Sequence, residues 1–260
     1  MPLYFFFMGI IFGSFANVII HRIPLGISII SPPSHCPDCG RGLSPWELVP
    51  VISYILLRGK CRCGAKISLR YPLVELACGL LWLAVAIAFP FWDAVPLALL
   101  AFALLCVAII DAKTMLIPDG LNIFIALLGI LWVVSALWLP TTPPDWQASL
   151  FGLLAGGLPL LIVDRLTIII AGKDGFGYGD VKLMAACGLL LGWQLVLVAF
   201  FFAFTTGAIF ALWLIVTGRA KRGAYMPFGP FLCGGVMGGL FFGDIFISFL
   251  FVQSIFTVVS

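Results

Sequence analysis

Apolar runs recur along almost the whole chain, and several reach the roughly 20 residues that a helix rising about 1.5 Å per residue needs to cross about 30 Å of hydrocarbon. Of the residues, 63% are hydrophobic and only 10% charged, against about 25% charged in an ordinary soluble domain. A water-soluble fold is therefore excluded, and the fold class is an all-α polytopic membrane protein set in a lipid bilayer. Spans are expected near 3–20, 73–90, 95–112, 120–138, 148–170, 181–192, 195–217 and 230–252. The stretch 181–217 is too long for one crossing and divides at Gly192-Trp193, because Gly ends helices and Trp favours the interface. Its first half is short, and must tilt, re-enter or be shielded by neighbouring helices.

Orientation follows from basic residues, which short cytoplasmic loops retain. With both termini periplasmic, all 14 Lys and Arg fall on one side. Arg22, Arg41, Arg58, Lys60, Arg62, Lys66 and Arg70 follow the first span, and Lys113 follows the third. Arg165, Lys173 and Lys182 surround the fifth loop, and Arg219, Lys221 and Arg222 fill the seventh. The outer loops have none. The net charge of +3 thus reports topology rather than a nucleic-acid partner. No Lys or Arg precedes the first apolar run, so that run is expected to stay as an anchor instead of being cleaved as a signal peptide.

Three parts are expected: a first transmembrane helix at 1–21, a cytoplasmic insert at 22–72, and a seven-helix membrane domain at 73–260. The insert is too small for a large core and needs a staple. Cys36-Pro37-Asp38-Cys39 and Cys61-Arg62-Cys63, each followed by Gly, resemble the knuckles of a zinc ribbon, in which four thiolates hold one tetrahedral Zn(2+). A reducing cytoplasm favours metal over disulfide. Because the second pair has one intervening residue where such knuckles usually have two or more, reduced structural cysteines stay open as the alternative. Cys78, Cys106, Cys187 and Cys233 lie in spans, where a thiol behaves as a small hydrophobe.

Most of the 11 acidic residues have ordinary explanations. Asp93 and Asp145 in outer loops, and Asp38 and Glu47 in the insert, are expected to be solvated. Asp119 after Pro118 suits a helix N-cap, and Glu75 after Pro72 suits a helix start. Asp164, beside Arg165 low in the fifth span, and Asp244, deep in the eighth, are given no role, and Asp111 and Asp180 are the candidates. Asp111 ends an apolar run where a negative charge opposes the helix dipole, and Asp180 closes Gly175-Phe176-Gly177-Tyr178-Gly179-Asp180 directly before a span. Charge-derived topology puts both at the cytoplasmic membrane face, and ionisable groups at such depth are functional candidates. Two carboxylates brought together share a proton, so one can act as base on a water while the other acts as acid on an amide. Glycines at 175, 177 and 179 would let a substrate backbone approach. The loop lacks the ending of a P-loop.

Several motifs in one order sharpen this reading. Gly13-Ser14-Phe15-Ala16-Asn17 through His21-Arg22-Ile23-Pro24, the four-cysteine insert, Arg70-Tyr71-Pro72-Leu73-Val74-Glu75, Asp111 with Ile117-Pro118-Asp119, and Gly177-Tyr178-Gly179-Asp180-Val181-Lys182-Leu183 span nearly the whole chain. Together they resemble the bacterial type IV prepilin peptidases, leader peptidases and N-methyltransferases of pilus and type II secretion systems. The Gly-Tyr-Gly-Asp element is shared with presenilin-like intramembrane proteases. The resemblance implies Asp111 and Asp180 as the catalytic pair, Gly177, Tyr178 and Gly179 beside the substrate, and a location in the bacterial inner membrane. It implies prepilin or pseudopilin substrates cut after a Gly that ends a short basic leader. It also implies S-adenosyl-L-methionine as methyl donor for the new N-terminus; Asn17, His21, Arg22, the insert and Glu75 are the groups that could support it, with a topogenic or packing role for them as the open alternative. A proton-coupled transporter using intramembrane Asp residues is the competing class, although no inverted repeat is visible.

Overall fold

The computed structural model describes residues 1–172, 177–219 and 226–259, with the side chains of 171 and 250–259 outside the description. Lys173, Gly175, Lys221 and Arg222 therefore lie outside the described residues. The chain forms two compact units, Met1–Cys106 and Val107–Ser260.

In the first unit, α1 (Pro2–Arg22) lies along α3 (Arg70–Ala88). Small residues let the backbones approach: a Cβ at Gly13 would stand 2.6 Å from the Glu75 Cα. Aromatic rings fill the space around this crossing, with Phe12 against Trp82 at 4.7 Å and edge-on to Phe102 at 5.5 Å. Phe102 belongs to α4 (Phe91–Thr114), which starts in this unit. Asp93, in the first turn of α4, is 2% exposed, so solvation does not explain it. Its position at a helix start, where the dipole favours an acid, does.

Between α1 and α3 the insert holds only short elements, 3-10 turns at Ile23–Leu25 and Pro45–Leu48 and α2 (Ile52–Leu56). Isolated bridges His35 to Gly42 and Lys60 to Lys66 are its only β-type pairings among the described residues.

The second unit contains the end of α4, then α5 (Asp119–Ser135), α6 (Trp146–Ala171), α7 (Tyr178–Leu191), α8 (Trp193–Val216) and α9 (Gly229–Val259). Gly152 and Gly156 of α6 abut the backbone of Gly188 and Met184 of α7, leaving no room for a Cβ on either α6 position. α5 and α7 run side by side in the same direction, since Asp119 meets Lys182 near both starts and Gly129 meets Leu190 two to three turns on. Gly192, at φ 82, breaks α7 from α8 where the sequence placed the division.

Apart from α2, these helices coincide with the eight expected spans. Six are long and apolar enough to cross a bilayer, while α5 has 17 residues and α7 has 14. Asp119 does not cap α5. Pro118 occupies the cap position, and Asp119 is instead the first helical residue, its carboxylate accepting from Lys182 at 2.9 Å.

Candidate active site and thiol cluster

Asp111 sits one turn before the end of α4 and is 5% exposed. The helix stops just beyond it: Thr114 Oγ1 donates to the Ile110 carbonyl, and Met115 turns left-handed at φ 54 with its N–H on the Asp111 carbonyl. The Asp111 side chain would oppose its own helix dipole. It finds compensation elsewhere, because Oδ2 accepts the backbone N–H of Gly229, the first residue of α9, at 2.9 Å. Any side chain at Gly229 would collide, since its Cβ would stand 2.7 Å from that oxygen.

Asp180 is the third residue of α7, 8% exposed, and accepts the N–H of Gly177 at 3.2 Å. Each carboxylate therefore holds a backbone donor at a helix start. The charge of Asp111 acts on Asp180, and both act on the thiol of Cys233 one turn into α9, so the two acids that are 69 residues apart in sequence share one neighbourhood.

The neighbouring glycines serve the protein's own packing. A Cβ at Gly179 would lie 2.8 Å from the Ile117 Cβ, and one at Gly177 would lie 3.2 Å from Asp180 Oδ2. Tyr178 is 55% exposed and its hydroxyl accepts from Arg165 Nη2 at 3.2 Å. The guanidinium also sits 5.8 Å from the Tyr178 ring centre. Sequence reasoning missed Gly229 and Arg165. For Gly229 a signal existed: Pro227-Phe228-Gly229-Pro230 before an apolar run is a helix start, and helix starts offer free N–H groups.

In the first unit the four insert thiols converge, with all Sγ atoms within 4.8 Å of one another. Cys36 Sγ and Cys63 Sγ are 3.9 Å apart, close to the roughly 3.8 Å that tetrahedral Zn–S bonds of about 2.3 Å impose. Both pairs are built alike despite their unequal spacing. The N–H of Cys36 bonds the Arg41 carbonyl and that of Cys61 bonds the Ala65 carbonyl, while Gly40 at φ 69 and Gly64 at φ 91 make the turns. The one-residue gap is thus no obstacle to a knuckle, and the donor set fits a soft divalent metal.

Glu47 was expected to be solvated, yet its side chain is 5% exposed and ties the two knuckles together. Its Oε1 meets Arg41 Nη2 at 2.7 Å and Arg62 Nε at 3.2 Å, and its Oε2 accepts from the N–H and hydroxyl of Ser44 at 2.9 Å. The Arg41 hydrogen bond, then that of the Ser44 backbone, holds the Glu47 carboxyl down to about 2. Hydrogen bonds from the Cys63 backbone and thiol, with smaller help from Cys36 and Arg41, pull the Cys61 thiol down to about 6.

Asn17, Arg22 and Glu75 also lie in the first unit, each buried on its own backbone partners. Asn17 Nδ2 donates to the carbonyls of Gly13 and Tyr71, while its Oδ1 is buried without a partner. Arg22 donates to the carbonyls of Ser28 and Pro32, fixing the start of the insert. Glu75 Oε2 accepts the N–H of Val51 at 2.7 Å, a β-branched residue held at φ 61.

Comparison with known proteins places these features in a family. Residues 7–89 match the bacterial peptidase A24 N-terminal domain, and residues 98–212 match the type IV leader peptidase family. A prepilin leader peptidase/N-methyltransferase of Bacillus subtilis is 37% identical over 94% of this chain and 95% of its own length. Proteins of the same name from Stutzerimonas stutzeri and Pseudomonas aeruginosa are 36% and 37% identical, each over 91% of this chain and 89% of its own length. No solved structure matches.

Proposed function

The chain belongs to the type IV leader peptidase family, and from that premise we propose that it is a membrane aspartic endopeptidase using Asp111 and Asp180 to remove the basic leader of prepilins or pseudopilins. The observation that carries the assignment of residues is the pair itself: two buried carboxylates, each on a helix-start N–H and each within reach of the other's charge. Held together, they keep one proton between them. The ionised member takes a proton from a water as it attacks the scissile carbonyl. The protonated member donates its proton to the carbonyl oxygen; as the C–N bond breaks, the other member passes the proton it took from water to the departing amine, and the first recovers a proton from the gem-diol hydroxyl, so the pair ends with one proton again. Gly229 and Gly177 fix the carboxylate orientations, so little reorganisation is needed at the moment of reaction. Gly177, Tyr178 and Gly179 border the bound backbone, with Arg165 holding the Tyr178 ring.

The same protein methylates the new N-terminus. S-adenosyl-L-methionine supplies an electrophilic methyl group when bound. The first unit offers it the unpaired Asn17 Oδ1 and the Glu75 carboxylate, while Arg22 fixes the start of the insert. Zn(2+) on Cys36, Cys39, Cys61 and Cys63 would staple the insert and take no part in hydrolysis. In this reading 22–72 is the cytoplasmic insert, 73–260 carries the peptidase, and both termini face the periplasm of the bacterial inner membrane. Family membership removes the transporter reading.

The test uses purified protein and a prepilin with its leader. Asp111→Ala and Asp180→Ala should each abolish cleavage while leaving the protein inserted, and both should still transfer labelled methyl to pre-cleaved pilin. Substantial cleavage by either variant sinks the assignment. Loss of methylation by folded Asp variants would point to one shared site instead of two.

A further inference from the structure

Asn122 is a carboxamide that the fold buries and leaves without a partner. It lies in the first turn of α5, 5% exposed, and neither its Oδ1 nor its Nδ2 makes a hydrogen bond. An amide buried in this way is costly, and hydrocarbon supplies no water to relieve it. A buried polar group retained in a membrane helix needs a working partner.

Its position indicates which. The buried α5 residues Asn122, Ile125, Gly129 and Trp132 recur at helical spacing and form one face. That face meets α7, since a Cβ at Gly129 would stand 3.1 Å from the Leu190 Cβ. The starts of the two helices are pinned by Ile117 against Gly179 and by Asp119 on Lys182. Asn122 is thus on the α7 side of α5, about one turn deeper in the bilayer than the level at which Gly179 and Asp180 lie.

We propose that Asn122 receives the substrate main chain just beyond the scissile bond. The inference rests on Asp111 and Asp180 being the peptidase pair. An apolar substrate helix must unwind locally before one of its peptides can lie between two carboxylates, and every N–H and C=O released in hydrocarbon then demands a partner. A carboxamide offers both donors and acceptor. One Asn can therefore satisfy the N–H and C=O of an unwound peptide unit, whereas a charged residue there would carry a larger desolvation cost.

The experiment compares wild type with Asn122→Leu, close in volume and apolar, on one prepilin. The variant should insert normally and be at least as thermostable, because the orphaned amide is gone. Its kcat/KM should fall about ten- to a hundredfold, mostly through KM. A prepilin weakened as a helix by Gly at the first positions after the cut should recover a larger share of its activity with the variant than with wild type. Wild-type kcat/KM in Asn122→Leu overturns the proposal, as does a loss confined to kcat with no rescue. Asp111→Asn and Asp180→Asn run alongside. If they cleave, the reading of the site has failed; if they are inactive while Asn122→Leu matches wild type, this inference alone has failed.

Discussion

The four insert thiols and the two membrane carboxylates pose the same electrostatic problem and solve it by different means. Both clusters gather groups of one kind that repel once ionised. The thiols lie on loops shaped by backbone turns, and a central cation is what would let all four be thiolates together. The carboxylates lie at helix ends, and a shared proton with two backbone N–H groups suffices. One cluster is complete when closed around its ion. In the proposed reading the other is useful because its proton stays free to move.

Attacking the carboxylate solution should have the largest effect. Gly229→Ala puts a Cβ against Asp111 Oδ2 and forces that side chain from its N–H, so cleavage should drop about a hundredfold. Kinetics on a prepilin, with membrane insertion checked, would read this; near-normal cleavage would mean that the Gly229 contact does not orient Asp111.

Attacking the thiol solution should cost structure before chemistry. Elemental analysis should find one equivalent of zinc in the wild type and almost none in Cys61→Ser. The insert of the variant should become sensitive to proteolysis, with cleavage reduced much less than by Gly229→Ala. Full zinc occupancy in Cys61→Ser would break the parallel.

Acid should separate the insert's two supports. Metal leaves first, because its thiolate ligands protonate. Glu47, its folded value depressed from 4.5 to about 2, contributes stability fully present above about 4.5 and lost as pH falls through about 2. Metal-free insert followed by proteolysis should therefore loosen again in that lower window, and Glu47→Gln should erase this second step. A second step unchanged in Glu47→Gln would assign it to another group.

The smallest effect belongs to Lys182→Met. Its ion pair with Asp119 is exposed on both sides, and such pairs contribute roughly 0–1 kcal/mol. Cleavage should stay within about twofold of wild type, and a larger loss would make the pair part of the site.

The helices at the eight expected spans were legible in the sequence because hydrocarbon leaves few options: apolar length marks a helix, although only six of them are long enough to cross a bilayer. Glu47 was misjudged since its partners, Arg41 and Arg62, meet it only once both knuckles have folded. Gly229 was missed because it contributes a backbone N–H, and composition cannot show where a main-chain donor points. Asn122 falls within the expected span 120–138, and only its burial without a partner sets it apart.

The shortness of α7 has a consequence for hydrolysis. Fourteen residues extend about 21 Å, some two-thirds of the hydrocarbon thickness. With its far end at the Trp193 interface, the helix starts well inside the leaflet unless lipid thins around it. In the proposed reading, with Asp180 working at the cytoplasmic face, so short a helix would leave the carboxylate near the aqueous phase that has to supply the attacking water. A full-length helix there would have to be hydrated through a pore; on the proposed reading this one would bring the aqueous phase to its reagent by being too short to keep it out.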